Sequence, residues 1–183
     1  MKRINTFISA SLFSFLLLVC DGCTNSQSSP PEVKGDGELY QCIPCGADCD
    51  NETYNETGEC SDCHMQLVKK SSITFKSIQP TTICDYIKNH PEAILLDVRT
   101  KKEFEGKANP DFGTLKNAIN IPIQELESQL ASISHLKSKE ILVFCSHSHR
   151  SPRASYILTQ KGFIDVTNME GGMSKVTDPA CKK

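Results

Sequence analysis

The sequence predicts an α/β fold over residues 71–183, a doubly wound parallel sheet covered by helices. From residue 72 onward, short apolar runs alternate with segments of helical periodicity, the order expected of a parallel sheet. The run at 141–144 is continuously apolar and the run at 93–98 is apolar except for Asp97, as strands are when both faces of a sheet are covered. Ligands of such sheets bind at the carboxyl ends of the strands. Polar residues that follow these two runs therefore define the candidate site.

Each element is predicted from its local pattern. The strands are short and rich in β-formers, and the helices show apolar residues at helical spacing. A further helix follows the run at 141–144, with Ser151 as its N-cap, Pro152 at its first position and Gly162 just past its end. The predicted strands are 73–75, 93–98, 117–121, 141–144 and 166–167, and the other predicted helices are 80–89 and 123–136.

Cys145 comes directly after the apolar run at 141–144, where the predicted strand ends and the loop to the next helix begins. Backbone N–H groups and the dipole at a helix start favour a thiolate over a thiol, and Arg150 adds a permanent cation. The thiolate is the nucleophile in cysteine chemistry. The plainer interpretation of Cys145 is a buried structural cysteine. The pattern favours catalysis, with Cys145 and Arg150 as the catalytic candidates.

Four segments in the same order resemble the single-domain rhodaneses, sulfurtransferases that carry a sulfane sulfur as a cysteine persulfide. The resemblance covers residues 72 to about 178. The loop departs from the family pattern at Ser148, where glycine is usual, and at Ser146, where arginine is frequent; Met173 stands where an aromatic residue is expected. The four segments are the active-site loop 145–151, 96–99 with 103–104, 117–122 and 170–173.

The resemblance implies a rhodanese-like fold and a sulfurtransferase activity. The Cys145 thiolate would attack the sulfane sulfur of a small anionic donor such as thiosulfate, and a thiol or cyanide would accept the sulfur. Loop N–H groups and Arg150 would hold the persulfide and the leaving anion. This function requires that the Cys145 sulfur is not sealed in the interior. A phosphatase or arsenate reductase is an alternative, but phosphatase relatives on this fold have five residues between cysteine and arginine, and this chain has four.

Further candidates for substrate contact have competing structural roles. Asp97 could bind Arg150 or the loop backbone, or cap the end of its strand. Arg99 could contact an anionic donor, or face solvent as the partner of Glu103. The two loop histidines could polarise a donor or simply face solvent. The candidates in the loop are Ser146, His147, Ser148, His149 and Ser151.

Residues 38–70 form a cysteine-rich module with too few apolar residues to fold by burial alone. The pairs Cys42/Cys45 and Cys60/Cys63 have the spacing of a zinc site with four thiolate ligands, which predicts a small zinc-ribbon-like module. Zinc or another soft metal suits such ligands, and two disulfides are the alternative.

The same module resembles small heavy-metal-binding modules attached to copper transporters and efflux proteins. That resemblance adds Cys49 and His64 as further candidate ligands. It also leaves open a non-enzymatic function, in which the chain is a metal-binding lipoprotein and its rhodanese-like domain is a sensor or carrier.

Residues 1–23 have the pattern of an export signal, in which two basic residues precede an apolar run at 7–19 that is too short to span a membrane. Cys20 or Cys23 resembles the lipidated cysteine of a bacterial lipoprotein. Residues 24–37 are rich in Ser, Pro, Gly and Asn, and we expect a flexible linker. These features predict a lipoprotein of the cell envelope that faces the periplasm and is attached to the membrane by its lipid.

Composition sets the remaining limits. The net charge of −2 gives no electrostatic reason to expect a nucleic-acid partner. Ten cysteines in 183 residues indicate metal ligation, an oxidising compartment, or both. Cys84 and Cys181 are most simply a core thiol and a tail thiol, with a bridge between them left open.

Overall fold

The computed structural model describes residues 37–183. The predicted export signal 1–23, both lipidation candidates and the linker up to residue 36 lie outside the described residues. Among residues 37–183, no helix has the length and apolar character needed to cross a bilayer.

A two-stranded antiparallel sheet closes the cysteine-rich module. Strand β1 (Tyr40–Cys42) pairs with β2 (Leu67–Lys69). Between them the chain makes a 3-10 turn at Asp48–Asn51. Sulfur forms most of the small core here, because four cysteines and a single leucine supply its buried side chains. These residues are Cys42, Cys45, Cys49, Cys60 and Leu67.

Five parallel strands form the sheet of the α/β part, as predicted. Strand β6 lies in the middle, paired on one side with β4 and on the other with β7. That position buries both of its faces and explains its continuous apolar run. The strands are β3 (Lys76–Ile78), β4 (Ile94–Asp97), β5 (Ile119–Asn120), β6 (Glu140–Phe144) and β7 (Asp165–Met169), in the spatial order β3-β7-β6-β4-β5.

Helices cover both faces of this sheet, which confirms the doubly wound α/β prediction. Side chains alternate across β4 and β6, so that Leu96 and Val143 enter one core while Leu95 and Leu142 enter the other. Cys145 belongs to the core that contains Leu96. The helices are α1 (Ile83–Asn89), α2 (Lys101–Phe104), α3 (Ile123–Gln129) and α4 (Arg150–Gln160).

Several boundaries differ from the sequence prediction. The first strand of the sheet lies at Lys76–Ile78 rather than 73–75, because the apolar triplet leads into the strand and Phe75 packs against the core. The predicted helix 123–136 ends at Gln129, and a 3-10 turn follows at Ser134–Leu136. The predicted helix 80–89 likewise begins as a 3-10 turn before α1.

Helix α4 begins earlier than predicted. His149 is its N-cap, and Ser151 lies within the first turn, where its hydroxyl contacts Cys145. Gly162 follows the helix with φ of +85°, as expected of a C-terminal glycine.

A disulfide joins Cys84 of α1 to Cys181 near the end of the chain. The interpretation of these residues as separate thiols was therefore wrong. The bridge fixes the C-terminal tail against the face of the sheet that carries α1.

Candidate active site and metal centre

The loop between β6 and α4 is built around the Cys145 sulfur. The Ser148 backbone N–H donates to Cys145 Sγ at 3.2 Å, and Ser151 Oγ lies 3.4 Å from the same sulfur. Ser148 has φ of +73°, and this left-handed turn directs its amide toward the sulfur. The loop thus brings one backbone N–H and one hydroxyl to the Cys145 sulfur, which is the geometry expected of the loop from the sequence. The catalytic role of Cys145 stays a prediction.

The Cys145 side chain is only 1% exposed, so the expectation of an accessible sulfur is not met in this conformation. Ser146 and Ser148 are also buried, whereas His147 and His149 are exposed. The turn at 171–174 covers the loop from the other side. Met173 N–H donates to Cys145 O at 2.7 Å, and Ser174 N–H donates to Ser146 O at 3.0 Å.

Gly172 allows this close approach. Its φ of +62° and ψ of −168° are adopted almost only by glycine. A Cβ at this position would lie 2.4 Å from the backbone carbon of Ser146. Gly172, which belongs to the segment 170–173 of the family resemblance, therefore has a steric function, which is to let one turn pack directly on the loop.

Arg150 is bound by Glu103, and this ion pair changes its predicted role. Two guanidinium nitrogens of Arg150 donate to the two Glu103 carboxylate oxygens at 2.7 Å each. Ser146 Oγ accepts from Arg150 at 2.9 Å and donates to Glu103 at 2.8 Å. Mainly through the Arg150 guanidinium, the pKa of Glu103 is held well below its usual range. In this conformation Arg150 anchors the loop and its charge is already paired.

Sequence reasoning missed this partner, although a local signal was present. Thr100 and Glu103 form a capping box at the start of α2, in which each side chain binds the other residue's backbone N–H. That motif fixes the Glu103 side chain at the end of β4, beside the loop.

Asp97 and Arg99 form a buried ion pair. Arg99 donates to both Asp97 carboxylate oxygens, with a shortest distance of 2.7 Å, and the side chains are 1% and 0% exposed. Thr114 Oγ1 donates to Asp97 at 3.0 Å, and the Gly113 carbonyl accepts from Arg99 at 2.8 Å. Asp97 therefore pairs with Arg99 rather than with Arg150, and its Oδ1 also accepts the Arg99 backbone N–H at 3.0 Å, as in the capping alternative. Arg99 pairs with Asp97 rather than with Glu103, and its contact with an anionic donor stays a prediction. The pair holds the loop after β4 to the segment around Gly113.

The outer face of the active-site loop lines a cavity of about 570 Å³. His147 and His149 lie on one wall, and His147 also makes an edge contact with Phe112 at 5.2 Å between ring centroids. Cys45 of the cysteine-rich module lies on the cavity as well. Ser148 is a further lining residue, and its buried hydroxyl has no hydrogen-bond partner among the described residues.

Four thiols of the module converge as a metal site requires, but they are not the four that the spacing predicted. The sulfur atoms of Cys42, Cys49, Cys60 and Cys63 all lie within 4.8 Å of one another. Cys45 instead falls in a second group with Cys49 and Asp50. The 3-10 turn at Asp48–Asn51 causes the exchange, because it folds Cys49 back onto Cys42.

The four-thiol group fits a tetrahedral metal ion. Zinc–sulfur bonds of about 2.3 Å in a tetrahedron imply sulfur–sulfur distances of about 3.8 Å. Cys42 Sγ and Cys49 Sγ lie 3.8 Å apart. All module cysteines of the described residues are free thiols, so the alternative with two disulfides is not what the structure contains. His64 is exposed and pairs with Glu59 at 3.0 Å, outside both groups.

Backbone geometry prepares one of these thiols for metal binding. Backbone N–H groups of Cys63 and Asp62 lower the pKa of Cys60 to about 7, as in a metal knuckle. Burial acts in the opposite direction on Cys42, whose pKa it raises strongly. A bound cation removes this cost, because it replaces the thiol protons with a compensating charge.

Comparisons with known proteins agree with the α/β part. The Rhodanese-like domain family matches residues 84–178. A tRNA uridine(34) hydroxylase of Cytophaga hutchinsonii is 29% identical over 114 residues, which are 61% of this chain and 34% of that protein. Protein YqhL of Bacillus subtilis is 34% identical over 84 residues, 46% of this chain and 60% of that protein. The chain thus spans less than two thirds of either relative.

Among solved structures, a rhodanese-related protein of Thermoplasma volcanium has 30% sequence identity and a TM-score of 0.47. The match covers 58% of this chain and 95% of that protein.

Proposed function

We propose that this chain, which belongs to the rhodanese-like domain family, is a sulfurtransferase that carries a persulfide on Cys145. The observation that carries the proposal is the Ser148 N–H directed at Cys145 Sγ at 3.2 Å. The thiolate attacks the sulfane sulfur of thiosulfate, the sulfur–sulfur bond of the donor breaks, and sulfite leaves with the electron pair. An acceptor thiolate then attacks the outer sulfur of the persulfide, and the Cys145 thiolate leaves.

Sulfur transfer requires the loop to open, because the closed loop seals the sulfur. Two features of Ser148 favour opening of the loop. Its backbone is left-handed, and its buried hydroxyl has no hydrogen-bond partner among the described residues. Each raises the energy of the closed state by about 1–3 kcal/mol. Glu103 binds Ser146 and Arg150, near the two ends of the loop, and these contacts limit the movement.

The decisive experiment measures sulfur on Cys145. After incubation with thiosulfate, we expect intact mass spectrometry to show one added sulfur atom on the native protein, removed by cyanide as thiocyanate. Cys145→Ser should abolish both signals, whereas Cys63→Ser, a change in the module, should leave the added sulfur in place. Transfer by Cys145→Ser at the wild-type rate would overturn the proposal, and so would a native Cys145 that no donor or alkylating agent reaches. Hydrolysis of an aryl phosphate would favour the phosphatase alternative.

Two further assignments complete the proposal. Zinc, or another soft ion, binds Cys42, Cys49, Cys60 and Cys63 and stabilises the module, which the convergence of four sulfur atoms supports. The protein is exported and lipidated on Cys20 or Cys23, which the apolar run before them supports. Metabolic labelling with a fatty acid tests the second point, because one of the two cysteine-to-serine variants should lose the label.

A further inference from the structure

We propose that the cysteine-rich module holds two soft metal ions, with the Cys49 thiolate bridging them. Two groups of candidate ligands overlap at this residue. The first is the four-thiol group with Cys42, Cys60 and Cys63, and the second consists of Cys45, Cys49 and Asp50. Within each group the ligand atoms lie within 4.8 Å of one another. Thiolates bridge soft cations readily, since sulfur has more than one lone pair to donate.

A single tetrahedral ion cannot bind all five thiols of the module. Four thiols complete a tetrahedral shell, so one ion has no position for the fifth thiol, Cys45. Cys45 is nonetheless buried beside Cys49, with 6% of its surface exposed. A second ion on Cys45 and Cys49 accounts for a free thiol that is held in the sulfur core and paired in no disulfide.

The charge of the module favours a second cation. Residues 40–66 contain six Asp and Glu residues and no Lys or Arg. Four thiolates around one divalent ion carry a net charge of −2, and the Asp50 carboxylate beside them adds to it. A second divalent ion offsets this charge, and Cys45 releases its proton to solvent as it binds.

The Asp50 side chain contacts residues of both ligand groups. Its carboxylate accepts the backbone N–H groups of Cys45 and Gly46, and Oδ1 lies 3.5 Å from the Cys42 thiol that donates to it. The Asp50 carboxylate therefore contacts both the four-thiol group and the backbone of Cys45. This position makes Asp50 a candidate ligand for the second ion, next to Cys45 and Cys49.

The second site is incomplete and lies at the edge of the active-site cavity. Three protein ligands leave at least one coordination position open. Cys45 lies on the cavity that His147, Ser148 and His149 line. Solvent and small thiols can therefore reach the open coordination position of the second ion. The ion of the four-thiol site has no such open position.

Native mass spectrometry of the full chain, reduced and titrated with Cd²⁺ alone, tests the proposal. We expect two Cd²⁺ ions per chain at saturation, and one in Cys45→Ser and in Asp50→Asn. Asp48→Asn, which removes an exposed carboxylate two residues away, is the matched control and should still bind two. One ion in the wild-type chain, or two in Cys45→Ser, would overturn the bridged site. Near-ultraviolet circular dichroism without metal checks that each variant retains its α/β domain.

Discussion

The protein handles sulfur in opposite ways in its two parts. In the module, five thiols crowd into one small core, and four of them lie within 4.8 Å of one another. In the α/β domain, Cys145 stands alone at the end of the central strand, with a backbone N–H and a hydroxyl as neighbours. Clustered thiols can share one cation, whereas the Cys145 sulfur has only protein groups for neighbours among the described residues. This difference supports the two separate proposals, metal binding in the module and sulfur transfer at the loop.

The two parts also differ in what stabilises them. The α/β domain has two apolar cores, one on each face of its sheet, and a disulfide between α1 and the tail. The module has one buried leucine among its cysteines. Its fold must depend on sulfur chemistry, while the fold of the loop depends on packing and hydrogen bonds. The following experiments test that contrast.

Metal removal should have the largest effect, and only on the module. Binding of a structural ion by thiolates contributes on the order of 10 kcal/mol of folding free energy. We expect a chelator to raise amide hydrogen exchange across β1 and β2 to the rate of an unfolded chain. Exchange in β6 and α4 should stay slow, and it serves as the internal control. If β1 exchanged slowly in protein that is shown to be metal-free, the module would not depend on metal for its fold, and the proposed contrast with the α/β domain would be wrong.

A matched pair of glycine substitutions compares the two parts directly. Gly172→Ala adds a Cβ that meets the Ser146 and Cys145 backbone at 2.4–2.5 Å, at a backbone conformation that only glycine tolerates. We expect a loss of about 3 kcal/mol in the free energy of unfolding and at least a tenfold slower formation of the Cys145 persulfide.

Gly46→Ala in the module is the control for that change. It also requires a positive φ, of +86°, but its Cβ would meet nothing nearer than Glu170 at 3.8 Å. Backbone strain alone should then cost about 1 kcal/mol. Chemical denaturation measures both values. Equal losses in the two variants would show that the turn at 171–174 does not hold the loop closed.

The sequence predicted best where one local cause decides the structure. Strand β6 and the loop after it follow from a buried apolar run with Cys145 at its end. The sequence did not correctly predict which of several similar residues form a contact, because that depends on how distant segments fold together. Spacing paired Cys45 with the zinc ligands, but the turn at Asp48–Asn51 selects Cys49. Arg99 was expected either to contact an anionic donor or to face solvent beside Glu103, yet it forms an ion pair with Asp97, two residues away, in the interior.

The pH dependence of the loop provides a smaller and more specific test. In the folded protein the pKa of Glu103 is lowered, chiefly by Arg150, from an unfolded value of about 4.3. A lowered carboxyl pKa contributes stability that is complete above the unfolded pKa and is lost as the pH falls through the folded pKa. At pH 7 we expect Glu103→Gln to lower the free energy of unfolding by about 2 kcal/mol. The difference from wild type should shrink as the pH falls below about 4, because only the wild type takes up this proton.

Glu105→Gln is the matched control for this variant. Glu105 also carries an ion pair, with Lys107 at 2.7 Å, but that pair follows the end of α2, where the Lys107 and Glu105 side chains are 69% and 32% exposed. Exposed pairs contribute little, so this change should leave both the stability and the rate of persulfide formation close to wild type. The two glutamates differ in their contacts with the loop, because Glu103, and not Glu105, binds Arg150 and Ser146. If both variants lost the same free energy of unfolding, the charge at α2 as a whole would matter, and the anchoring role of the Glu103–Arg150 pair would be refuted.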